Sequence, residues 1–130
     1  MNLLTKTASM LLFVSSLSQA QTSDTLDGRW IGTTKSPSTA NELQIQVKIS
    51  QAGGTWRYVT AASKARNANC LNRDFPLSIK SMPNAKMIFN VDGPSVITGC
   101  PSFDLTLERT DELTLSGTFK DGRHVVLKKQ

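Results

Sequence analysis

"NELQIQVKIS", residues 41–50, sets Leu43, Ile45, Val47 and Ile49 on one side of the chain and Glu42, Gln44, Gln46 and Lys48 on the other. A period of two marks a strand with one dry and one wet face, because successive side chains of an extended backbone point in opposite directions. A helix would scatter these aliphatic residues around its circumference. The same alternation recurs in "FDLTLERT" (103–110), with Phe103, Leu105 and Leu107 against Asp104, Thr106 and Glu108. It appears again in "LTLSGTF" (113–119), with Leu113, Leu115, Gly117 and Phe119 on the dry side.

Shorter runs fill the intervals. "GRWIGTT" (28–34) opens the set, and "WRYVTAAS" (56–63), "FPLSIKS" (75–81), "KMIFNV" (86–91) and "RHVVLKK" (123–129) complete it, with Val125 and Leu127 facing inward in the last. Turn chemistry falls between the runs, at 52–54, 83–84, 92–94, 110–112 and at Asp121-Gly122, the strongest hairpin signal in the chain. Eight one-sided strands on mostly short connections predict an all-β chain folded as an antiparallel up-and-down barrel. Closing the sheet removes both exposed edges. A two-sheet β-sandwich is the alternative that the same pattern permits.

The beginning of the chain has a different character. Residues 1–6 carry one positive charge, "TASMLLFVSSL" (7–17) is apolar and uncharged, and "SQA" (18–20) supplies the small residues that a signal peptidase reads. Residues 1–20 are therefore expected to be a signal peptide, and residues 21–130 a single β-barrel domain placed in the periplasm or outside the cell. The apolar run is shorter than the roughly 20 residues that span a bilayer, so no stable membrane anchor is expected. Removing Lys6 with the leader takes the net charge from +5 to +4. That mild excess favours solubility and weak attraction to anions, and export argues against a nucleic-acid partner.

Cys70 and Cys100 are the only two cysteines. An even count in an exported chain reads as one disulfide, which would pin two of the longest irregular stretches, "SKARNANCLNRD" (63–74) and "DGPSVITGCPS" (92–102). Two cysteines and the single His124 do not make a four-ligand zinc set, and no metal or other cofactor is expected.

The tripeptide Gly28-Arg29-Trp30 of the first expected strand resembles the G-x-W element of the calycins, the superfamily of lipocalins, fatty-acid-binding proteins, avidins and a group of bacterial metalloprotease inhibitors. The T-D-Y mark of lipocalins has no counterpart here, and the cysteines are spaced more widely than in the inhibitor group. The resemblance implies that Trp30 plugs one end of the barrel. It also implies that Gly28 lets the chain curl beneath and that Gly32 permits the strand to coil sharply. A late basic residue would stack on the indole, with Arg109, Arg123 and Lys128 as the candidates.

Chemistry is sparse. His124 alternates with Val125 and Leu127 and should face solvent, no G-x-S-x-G elbow occurs, and the carboxylates read as solubilising charge. An enzyme is not expected. Binding is better supported: Lys64, Arg66, Asn67, Asn69 and Arg73 offer directional hydrogen bonds from the stretch around Cys70, and Val96 and Ile97 form an apolar point in "GPSVITG" (93–99). Exposed together, the pair would insert into a partner; packed over the barrel mouth, it would be a lid. With Phe75, Met87, Phe89, Phe103 and Phe119 directed inward, the interior is expected to be filled. The expected function is non-enzymatic binding of another exported protein through loops, such as inhibition of a hydrolase. Carriage of a small apolar ligand, as in lipocalins, is the alternative. Oligomeric state is not legible.

Overall fold

A computed structural model describes residues 26–36, 42–60 and 68–130. The proposed signal peptide lies outside the described residues. Eight strands follow one another: β1 (Gly28–Lys35), β2 (Glu42–Ser50), β3 (Gly53–Val59), β4 (Phe75–Ser81), β5 (Lys86–Asp92), β6 (Ser102–Asp111), β7 (Thr114–Phe119) and β8 (His124–Lys129). Each pairs antiparallel with the next, and β8 pairs back onto β1. The sheet is therefore a closed up-and-down barrel, and the sandwich alternative is not adopted.

Register follows the hydrophobic pattern. Val47 of β2 stands opposite Trp30 on one side and Trp56 on the other, so three inward residues share one level. Phe89 faces Leu105 in the same way. Slipping any strand by one residue would turn its aliphatic set outward, which is why alternation fixes register as well as element type. Trp30 and Trp56 are both 0% exposed, and Ile45, Phe89, Leu105, Leu107, Leu115, Val125 and Leu127 are buried with them. Buried side chains from all eight strands converge on the interior; of the five aromatic and Met positions expected to point inward, Phe75, Met87, Phe89 and Phe119 are buried and Phe103 is partly buried against the core.

Gly32 explains how the seam closes. A Cβ at that position would fall on the Val126 carbonyl oxygen of β8, so only glycine lets the two backbones approach. Gly28 has a φ of 136°, in the region L side chains avoid, where the chain enters β1 from beneath.

Two local expectations are corrected. The turn before β3 sits at Gln51 and Ala52, with Gln51 at a φ of 59°, while Gly53 and Gly54 already belong to the strand. Leu113 does not face the interior: it lies in the turn after a register shift between Arg109 and Asp111 and is 58% exposed. The extra residue of the bulge lies on β6, and Glu112 and Leu113 form the turn, so the inward series of β7 begins at Leu115.

The inward and outward faces of the strands supply a direct test. Leu105→Ala, deep in the core, should lower stability by about 2–5 kcal/mol. Val126→Ala, on the outer wall and 43% exposed, should change it by less than about 0.5 kcal/mol. Urea unfolding of both variants checks the ranking, and equal costs would contradict the inward–outward assignment.

Candidate functional site

The closed topology sends connections to two ends. The mouth collects the ends of β1, β3, β5 and β7, and the base collects the beginnings of β1, β3, β5 and β7 with the end of β8.

At the mouth, the Cys70–Cys100 disulfide joins a short 3-10 turn (Ala68–Cys70) to the β5–β6 connection, with the two Cα atoms 5.6 Å apart. The span of 30 residues makes the cross-link worth about 3–4 kcal/mol in the chain-entropy description. The β5–β6 connection is rigid beyond that bond. The amides of Val96 and Ile97 both donate to the Gly93 carbonyl (3.1 Å each), and the Cys100 amide donates to the Ile97 carbonyl (3.1 Å). Ser95 is tied twice to Asp92, its amide donating to Oδ1 (3.2 Å) and its hydroxyl to the backbone oxygen (3.1 Å). Gly93 is buried where a Cβ would fall on the Pro101 carbonyl oxygen.

This frame divides the two apolar residues. Ile97 is half-buried against the core, whereas Val96 is 46% exposed. Neither the paired insertion point nor the complete lid is formed: Ile97 anchors the loop and Val96 is presented by it. Asn69 and Arg73 are exposed nearby in the chain to either side of Cys70, and Lys64, Arg66 and Asn67 lie outside the described residues. Asn72 ties this segment to the end of β3, its backbone amide donating to the Tyr58 carbonyl (2.6 Å).

Beneath these loops sits an aromatic cluster that alternation alone did not single out. Trp56 meets Tyr58, Phe103 and Phe119 edge-on at centroid distances of 5.8, 5.7 and 6.1 Å. The Arg123 guanidinium lies over Phe119, 4.4 Å from the ring centroid. Its Nε donates to Asp121 Oδ2 (2.7 Å) and its Nη1 to the Lys35 carbonyl (2.6 Å). The Arg123 amide also donates to Asp121, which holds that carboxyl below its ordinary range. Trp56 Nε1 and Thr34 Oγ1 are buried and have no hydrogen-bond partner among the described residues. The Tyr58 phenol is driven well above its ordinary value, because burial disfavours the phenolate more than the nearby Arg123 guanidinium favours it.

At the base, the Trp30 Nε1 donates to the Leu26 carbonyl (2.8 Å), pinning the entering chain under the barrel. The cation over the indole is Lys129, whose Nζ is 5.7 Å from the ring centroid. None of Arg109, Arg123 and Lys128 fills that role. Lys129 shares the inward phase of Leu127 and stands directly opposite Trp30, whereas Lys128 points outward and donates to the Thr114 hydroxyl (2.8 Å). Arg109 instead donates to the Asp111 and Glu112 carbonyls.

Beside this plug lies a groove of about 560 Å³, walled by Leu26, Ile79, Met82 and Met87 and rimmed by Arg109, Asp111 and Glu112. The sequence carried one hint of it. Met82, 40% exposed, extends the apolar series past Ile79 and out of strand alternation. Asp111 takes a hydrogen bond from the Leu113 amide (2.8 Å), which lowers its carboxyl below the ordinary range. His124 is exposed on the outer wall, and among the described residues no three His, Cys, Asp or Glu side chains gather as a metal site.

No protein-family model and no curated protein matches the chain. Among solved structures, a redesigned beta barrel is similar, with 19% sequence identity and a TM-score of 0.49 over 81% of this chain and 91% of that one.

Tyr58 is the only tyrosine, so its ionisation is a single-residue readout. With the folded-state value raised above the ordinary 10.0, the stabilising contribution is full below pH 10.0 and is lost as pH rises through the folded-state value. Tyrosinate absorbance should stay suppressed in the folded protein past pH 10.0 and titrate normally in denaturant. An ordinary titration of the folded protein would contradict the buried placement.

Proposed function

We propose that the chain is an exported, non-enzymatic binding protein of calycin type that contacts another exported protein through its mouth loops, in the manner of a hydrolase inhibitor. The observation that carries this reading is Val96, an exposed apolar side chain on a loop fixed by a disulfide and five hydrogen bonds. A recognition loop that is already ordered loses little conformational freedom on binding, so its contacts translate into affinity. Asn69 and Arg73, exposed on the other side of the disulfide, add directional hydrogen bonds at the rim. Export is supported by the disulfide itself, since such bonds persist in oxidising compartments. The calycin reading is supported by the closed eight-strand barrel with Trp30 buried at its base under Lys129. The non-enzymatic reading is supported by the outward placement of His124 on β8.

A second reading, carriage of a small apolar ligand, is favoured by the basal groove, whose 560 Å³ falls within the roughly 300–1,000 Å³ usual for ligand sites. The filled interior moves such a ligand from the barrel lumen to the base.

A panel of secreted peptidases and glycoside hydrolases, assayed with the oxidised protein, separates the two. The first reading expects inhibition or tight binding of at least one member, weakened at least tenfold by Val96→Asp with unchanged circular dichroism. Indifference of every interaction to Val96→Asp would overturn it. The second reading expects an environment-sensitive apolar dye to bind and Met82→Glu to abolish that binding. Failure of any dye to bind would remove it.

A further inference from the structure

The outer wall carries a feature that neither the mouth nor the groove uses. In the β1–β2 register, Arg29 stands directly opposite Lys48, and Lys48 stands opposite Thr55 of β3. Arg57 lies one level further along β3, opposite Gln46. These residues surround a polar depression of about 170 Å³ that Asp74 closes on one side.

Like charges directly opposite on neighbouring strands are destabilising, since such side chains begin about 5 Å apart. The rest of the wall avoids the arrangement: on β5 and β6, Lys86 faces Glu108. Arg29 and Lys48 are both exposed and form no ion pair among the described residues. Asp74 is the one acid in the lining of the depression, and it is engaged, as is Asp27, two residues before Arg29 in the chain. Asp74 is paired with Arg57 Nε (2.8 Å), and Asp27 accepts the Gln51 amide (2.8 Å).

We propose that the β1–β3 wall is a docking surface for an acidic polysaccharide, one sulfate or carboxylate group of which sits between Arg29 and Lys48. Charge complementarity identifies the anion, because an oxyanion between the two cations converts their repulsion into two attractive pairs. The neighbouring polar groups identify the polymer. Gln46 and Thr55 offer an amide and a hydroxyl beside the cations, which suit sugar hydroxyls. Both tryptophans are buried inside the barrel, so this wall has no indole on which a nucleobase could stack.

Heparin is the probe, titrated against the full oxidised protein over a range of salt concentrations. The double variant Arg29→Gln/Lys48→Gln should weaken binding at least tenfold and flatten its salt dependence. Lys80→Gln/Lys120→Gln, which removes the same charge elsewhere on the surface, should change affinity less than twofold. Equal losses in the two double variants would mean that net charge alone drives binding and would overturn the proposal. Absence of heparin binding, tighter binding to duplex DNA at matched salt, or full displacement by the same concentration of inorganic sulfate would also overturn it. A thermal melt guards against misfolding, and relief of the like-charge contact predicts that Lys48→Gln melts no lower than the parent.

Discussion

Closure of the sheet between β1 and β8 is the constraint on which the rest of the molecule depends. The seam is short, running from Trp30 opposite Lys129 to Thr33 opposite Val126. It is reinforced at both ends by contacts between residues far apart in sequence. At the mouth, Arg123 donates to the Lys35 carbonyl across 88 positions. At the base, the Gln130 amide donates to the Arg29 carbonyl (2.8 Å), and Lys129 lies over Trp30. Gly32 sits within the seam, where any side chain would push the strands apart. Once closed, the sheet has no free edge, and every inward side chain faces another across a dry interior.

Much of this was legible because period-two patterning is a local signal. Ile45, Val47 and Ile49 reveal their strand and their inward face from ten residues of sequence, without knowledge of what lies opposite. The failures are equally local in cause. Leu113 continues the alternation of its run, but the chain is still turning at Glu112 and Leu113 and β7 starts only at Thr114, a boundary that hydrophobic periodicity does not mark. The cation above Trp30 depends on which strand end meets the base, a long-range fact. Lys129 was missed because its place opposite Trp30 follows from the β1–β8 pairing, whereas Arg123 lies at the mouth end of the barrel and Arg109 on β6, which does not pair with β1.

The candidate site was legible in part for the same reason. The disulfide could be anticipated from cysteine count, and Val96 and Ile97 stood out as apolar residues outside alternation. The division of labour between Val96 and Ile97 could not, because it arises from hydrogen bonds to Gly93 that curl the loop and turn only one of the pair toward the core. The basal groove is assembled from the chain's lead-in at Leu26 and two hairpins joined far from it in sequence. The opposition of Arg29 and Lys48 likewise needs a register that no single stretch encodes. A filled barrel thus leaves its chemistry to the surfaces that closure creates: a stapled rim, a groove beside the plug and a charged wall.

Native-state hydrogen exchange along the seam tests the central claim most directly. If β1 and β8 close the barrel, the paired backbone amides between Trp30 and Thr33 and between Val126 and Lys129 should be as strongly protected as those of the central β5–β6 pair, and all should exchange through global unfolding. Exchange of the seam amides at rates near those of an exposed edge, with β5–β6 still protected, would show an open sheet and contradict the account.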